Sequence, residues 1–323
     1  MKPKLKIGIQ NLHHDEVTAL KELFDDIASE FYIWPKHDYD KVQLKSCDVL
    51  IMFARRHWRY LKFNKPYLLI LADYVTNEKA IALTKSRSIN FLTLRYAYHS
   101  NSLFRGFLCG SSELFETVRQ AHIPGFFYHK KYPFAGIYSV LKTQLSADPK
   151  DIVTLINSYQ RTAGERKWRR PEDSYQAFQY VVKNVPQFHF AHYGAPENQK
   201  TFEESNELQA KARYTIHIKY WGHVCNAVVK SLALGVPVLM DEPTFLKGRY
   251  QAYLHHGKNA MIFKSKNEII TYLNNPGENE QWQKLKKYCT ENVSFWHFPY
   301  SDEEKEQLSQ WLEALAIGPV GHQ

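Results

Sequence analysis

Apolar residues recur along the chain in two rhythms, short continuous runs and longer stretches at helical spacing. Residues 4–10 (KLKIGIQ) read as a short strand, and 15–31 carry Val17, Leu20, Leu23, Phe24 and Ile27 on one helix face. Residues 47–53 (CDVLIMF) and 66–72 (PYLLILA) are unbroken apolar runs, the pattern of strands buried on both sides of a parallel sheet. A helix over 76–86, a strand over 90–94, a strand ending at 107–110 and a helix from Ser111 or Ser112 to 121 complete a first doubly wound α/β domain, expected to end near 135. The alternation then restarts. Strands are predicted at 152–158, 188–193, 214–218, 237–240 and 260–263, and helices at 172–184, 201–212, 226–234, 266–274 and 279–291. A last helix, 301–316, follows the Pro-broken aromatic stretch SFWHFPYS. The expected domains are therefore 1–135, 136–300 and a terminal helix 301–323 that packs back on the first.

Composition narrows this picture. The chain has 323 residues, about two domains at roughly 150 residues each. With 44% hydrophobic and 23% charged residues, it excludes wholesale disorder. No apolar run approaches the roughly 18 residues that span a bilayer, and the N-terminal MKPKLKIGIQ lacks the apolar core of a secretion signal. The expectation is a cytoplasmic protein. Cys47, Cys109, Cys225 and Cys289 stand far apart, which argues against a disulfide framework or a cysteine-rich zinc site. A net charge of +9 favours anionic partners: nucleic acid, phosphorylated metabolites or, as a peripheral contact, an anionic membrane face.

In open parallel sheets, ligands bind at the carboxyl ends of the strands, so the loops there carry the chemistry. The loop after the strand at 152–158 reads YQRTAGERKWRRPED and holds Arg161, Arg166, Lys167, Arg169 and Arg170 beside a single Glu165. Guanidinium forks pair bidentately with phosphate oxygens, so this position suits a diphosphate, whereas a solvated charged loop is the plainer alternative. The second constellation is HIKYWGHVCNAVVKSLALGVPVLMD, 217–241. A strand end, a turn with Gly222 and His223, and a helix beginning near Asn226 present backbone amides to an anion. Asn226 reads as the N-cap, and Lys230 lies one turn in. Ordinary αβ packing accounts for 232–240, but not for the polar residues gathered at the mouth.

From 152 to 296 the order of elements resembles the nucleotide-sugar domain of GT-B-fold glycosyltransferases, above all the large retaining family that includes sucrose and glycogen synthases. ALGVPVLMD (233–241), HHGKNAMIF (255–263) and FHFAHYGAP (188–196) are similar to three of its segments, and LCGSSELFETVRQAHIPGFFYHKKYPF (108–134) is placed like the one before its interdomain crossing. The resemblance implies two Rossmann-like doubly wound domains facing a central cleft, with a C-terminal helix crossing back. It also implies an Arg/Lys pair on the donor diphosphate: Arg161, with Lys167 or Arg169. Tyr193 and Gly194 fall near the base. The family's two glutamates, eight residues apart, are replaced here by Gly222 and Lys230. Inverting fucosyltransferases of similar fold carry a lysine near this point, so retention and inversion both stay open.

Transfer from a nucleotide sugar needs a stabilised leaving group and, for inversion, a general base. The candidates are Asp73, His13 and His57, each just after a predicted strand of the first domain. His13 also fits a simple helix start, and Arg55, Arg56 and His57 fit either an anionic acceptor or a solvated loop. The cations make a metal unnecessary, and the DYD at 38–40 reads as a turn; no metal or cofactor is expected. The reading is a glycosyltransferase taking a UDP- or GDP-linked sugar to a glycan or glycolipid. Its rivals are a nucleotide-sugar epimerase, which needs no acceptor, and a nucleic-acid-binding protein, whose cations would form a stripe instead of gathering on one loop.

Overall fold

The computed structural model describes residues 4–11, 14–35, 39–53, 61–71, 103–120, 122–132, 149–156, 171–194, 198–220 and 224–315. The chain divides into two compact units, Met1–Lys130 with Pro299–Gln323, and Lys131–Phe298. Each is built on one parallel sheet, the α/β class that the alternating runs predict.

In the first unit the sheet runs β2-β1-β3-β4-β5-β6, with β1 (Leu5–Asn11), β2 (Ala28–Pro35), β3 (Val49–Phe53), β4 (Tyr67–Leu71), β5 (Phe104–Cys109) and β6 (Gly125–Phe127) all parallel. Every residue of β3 and β4 is buried, because helices cover both faces of a parallel sheet. Among the described residues the helices are α1 (His14–Phe24), α2 (Lys41–Ser46) and α3 (Ser112–Gln120). The helix expected over 15–31 is thus two elements. α1 ends at Phe24, and 28–35 pairs with the open edge of β1, where aromatic and β-branched side chains (Phe31, Tyr32, Ile33) fit a pleated surface. Trp34 from that strand is fully buried. Gly106 in β5 has φ +152, and a Cβ there would sit 2.7 Å from the Pro124 carbonyl, so glycine lets β6 approach. The helix at 76–86 and the strand at 90–94 lie outside the described residues.

The second unit's sheet is β11-β10-β9-β7-β8, comprising β7 (Asp151–Leu155), β8 (His189–Tyr193), β9 (Tyr214–His217), β10 (Val238–Asp241) and β11 (Ala260–Phe263). Its described helices are α4 (Pro171–Lys183), α5 (Phe202–Ala210), α6 (Asn226–Ala233), α7 (Glu242–Gly248), α8 (Lys266–Leu273) and α9 (Glu278–Glu291). α6 packs Val228, Val229, Leu232 and Ala233 into a core shared with Val153, Val238 and Met240. Gly235, at φ +66, ends that helix. A short helix at 242–248 was not expected; Asp241 caps it by accepting the Thr244 amide at 3.1 Å. The last helix, α10 (Asp302–Ala314), opens with a capping box between Ser301 and Glu304 and belongs to the first unit. There Trp311 lies 5.5 Å from the Phe126 ring and Lys305 pairs with Asp26 at 3.3 Å. No described helix is long and apolar enough to cross a membrane.

Candidate functional site

The order β11-β10-β9-β7-β8 has its topological switch point between β7 and β9, where consecutive crossovers leave in opposite directions and ligands bind beyond the carboxyl ends. Those two strands run side by side, Ile152 opposite Tyr214 and Val153 opposite Thr215. The five-cation stretch follows one of them, and the turn leading into α6 follows the other. β8 lies on the other side of β7, with the Ile156 amide donating to the Tyr193 carbonyl at 3.1 Å. Sheet topology therefore sets side by side the three strands that the predicted segments follow in sequence.

Of the predicted donor-binding residues, Tyr193, Gly194, Asn226 and Lys230 are described; Arg161, Lys167, Arg169, Gly222 and His223 lie outside the described residues. The half-buried Tyr193 packs against the core beneath α6, and burial followed by the Asp151 carboxylate raises its phenol pKa. Gly194 forms a two-bond bridge with Asn198, which folds the chain back directly after β8. Asn226 opens α6, but Cys225 is its N-cap, and the thiol makes no capping bond. Lys230 lies one turn in from Asn226 as expected, and because this helix has only eight residues it also stands in the last turn, where a cation suits the dipole. Its Nζ lies 5.6 Å from the centre of the Tyr132 ring.

The turn between β9 and α6 is held at both ends by residues that sequence reading did not single out. At its entry, the Lys219 amide donates to Thr244 Oγ1 (2.9 Å) and the Tyr220 amide to Ser174 Oγ (2.9 Å). The Tyr220 hydroxyl donates to Asp241 Oδ2 at 2.8 Å. Burial, then the Asp241 charge, raises the Tyr220 pKa and keeps the phenol a donor; burial also raises that of Asp241, against the bonds it accepts. At the exit, the Cys225 amide donates to the Tyr250 hydroxyl (3.0 Å), which lies 3.1 Å from His217 Nε2. The run Asp241-Glu242-Pro243 is a helix-start signature that could have revealed the entry clamp. No local signal marks Tyr250, because its partners are 25 and 33 residues away.

In the first unit the switch point lies between β1 and β3. Gln10, fully buried at the end of β1, accepts the Phe53 amide at 3.2 Å and ties those two strand ends together. His13 follows β1 and His57 follows β3, while Asp73 follows β4, one strand further out. All three lie outside the described residues. Asp40 of the DYD caps α2, accepting the Val42 amide at 2.7 Å. Among the described residues no group of three or more His, Cys, Asp or Glu could hold a metal ion.

No protein-family model and no curated protein sequence matches the chain. Solved structures do. The Anabaena protein HepE, solved with UDP-glucose, superposes with a TM-score of 0.61 at 12% identity over 96% of this chain and 100% of its own. Sucrose-phosphate synthase of Thermosynechococcus elongatus gives 0.60 at 11%, over 97% and 99%. The pneumococcal O-GlcNAc transferase GtfA, solved with UDP and GlcNAc, gives 0.57 at 10%, over 83% of this chain and 56% of its own. These are GT-B glycosyltransferases, and this chain has their fold.

Proposed function

We propose that the protein is a glycosyltransferase that moves a sugar from a UDP- or GDP-linked donor to a glycan or glycolipid acceptor. What supports this reading is that the five-cation stretch follows β7 in the sequence, and β7 is one of the two strands that flank the switch point. The fold it shares with HepE and GtfA, solved with UDP-glucose and with UDP, supports the same donor class.

In this reading Arg161, with Lys167 or Arg169, pairs with the donor diphosphate. Gly222, His223 and the amides at the start of α6 approach it from the neighbouring strand end, and Tyr193 and Gly194 lie toward the nucleoside. As the bond from the anomeric carbon to the leaving oxygen breaks, negative charge grows on the terminal phosphate. Cations and amides fixed around it lower the barrier without reorganising. The acceptor hydroxyl supplies the new bond, and in an inverting reaction its proton passes to Asp73, His13 or His57. Lys230, where the retaining family has a glutamate, favours inversion.

Calorimetry with UDP and GDP tests this. The expected result is binding of one of them, weakened in Arg161→Ala by about 1.5–3 kcal/mol, the range for hydrogen bonds to charged groups. Wild-type protein that binds neither overturns the reading. Unchanged affinity in a folded Arg161→Ala variant removes Arg161 from the site.

A further inference from the structure

We propose that Tyr250, braced by His217, is a positioning residue: its hydroxyl sets the start of α6 and thereby the amides that meet the donor's diphosphate. This rests on the nucleotide-sugar reading above and adds two residues to it.

Three separate features of the chain converge on that hydroxyl. Gly248 leaves room for the ring, since a Cβ there would lie 2.1 Å from Tyr250 Cε2. Arg249 follows in the left-handed region at φ 57, which turns the chain so that the Tyr250 ring enters the core. The ring is 1% exposed and meets the His217 imidazole edge-on, with centroids 6.0 Å apart. A phenylalanine would fill the same volume, so packing alone does not explain the hydroxyl.

What the hydroxyl does is local and specific. Cys225 is the N-cap of α6, and its side chain makes no capping bond. Its amide donates instead to Tyr250 Oη at 3.0 Å, and Oη lies 3.1 Å from His217 Nε2. The first internal bond of the helix runs from the Val228 amide back to the Cys225 carbonyl at 3.0 Å. The amides of Asn226 and Ala227 thus precede the helix ladder, and their direction follows from where Cys225 is fixed. Because Ser174, Thr244 and Asp241 clamp the entry of the turn, releasing Cys225 would free its exit alone.

The test compares nucleoside diphosphates with bare nucleosides: UDP and GDP against uridine and guanosine, by calorimetry or ligand-observed NMR. Tyr250→Phe is expected to lower diphosphate affinity about five- to tenfold, the scale of one hydrogen bond, and to leave nucleoside affinity unchanged. His217→Leu should behave alike. His217→Gln, whose amide reaches about as far as Nε2 and can still bond to the phenol, should restore wild-type affinity. Unchanged diphosphate affinity in folded Tyr250→Phe overturns the inference and leaves the donor reading standing. Equal losses for nucleoside and diphosphate also overturn it, because a purely structural role weakens both. Should Tyr250→Phe fail to fold, His217→Leu and His217→Gln decide, and equal diphosphate affinity in the two counts against the inference. Wild-type protein that binds neither diphosphate overturns both.

Discussion

An imidazole with no exposed surface loses the water that stabilises its charged form, so burial, and secondarily the nearby Lys219 charge, hold the His217 pKa well below 6.5. His297 is shifted the same way by burial, against the hydrogen bond its Nε2 makes with the Ala233 carbonyl at 2.6 Å. Each binds a proton less readily in the folded chain than in the unfolded one, so protons are taken up on unfolding once pH falls below 6.5. Their contribution to stability is therefore complete above 6.5 and shrinks as pH drops toward the folded values. Chemical denaturation at about pH 7.5 and about pH 5.5 should show stability falling by up to about 1.4 kcal/mol per pH unit for each histidine. His217→Gln should flatten part of that slope. A slope that is unchanged in this variant would mean that His217 titrates normally.

Elements are tied together by side chains whose partners lie far away in sequence. Arg213, next to β9, pairs in two-pronged fashion with Glu278 at the start of α9, at 3.0 Å (Nε to Oε1) and 2.6 Å (Nη2 to Oε2). Tyr214 adds a 2.6 Å bond to the same carboxylate, and the guanidinium lies 4.3 Å from the Trp282 ring. With side-chain exposures of 1% and 7%, removing one partner strands a buried charge. Arg213→Met should cost about 3–5 kcal/mol in urea denaturation, and adding Glu278→Met should recover much of it. If the double variant is as unstable as the single, the stranded charge is not the cause. Nothing in the residues around Arg213 marks it as buried. The helix boundary at Phe24 was hidden for a related reason: Ile27 continues the helical spacing, and only pairing with β1 shows that 28–35 is a strand.

At the scale of the whole molecule, the proposed function has the cations that follow β7 and the start of α6 supply the positive field that a metal provides in other transferases. Sugar transfer measured with the full chain should therefore survive excess EDTA nearly unchanged. Loss of turnover that Mn²⁺ or Mg²⁺ restores would contradict this and return attention to Asp38 and Asp40, although the Asp40 carboxylate already caps α2.

Two α/β units were legible in the sequence because buried parallel strands need unbroken apolar runs, as at 49–53 and 67–71, and the helices between them need one apolar face. The cation stretch and the polar mouth of the turn before α6 were legible for the same local reason: charge and glycine patterns are contiguous along the chain. Strand order is different. Placing β7 between β8 and β9 is a choice among sheets with identical local patterns, and it alone sets the strand that the cation stretch follows beside the strand that leads to α6. The clamps on that turn, from Ser174, Asp241, Thr244 and Tyr250, join residues 21 to 46 positions apart. Such hydrogen bonds exist only after burial has removed competing water, so they were decided by tertiary structure.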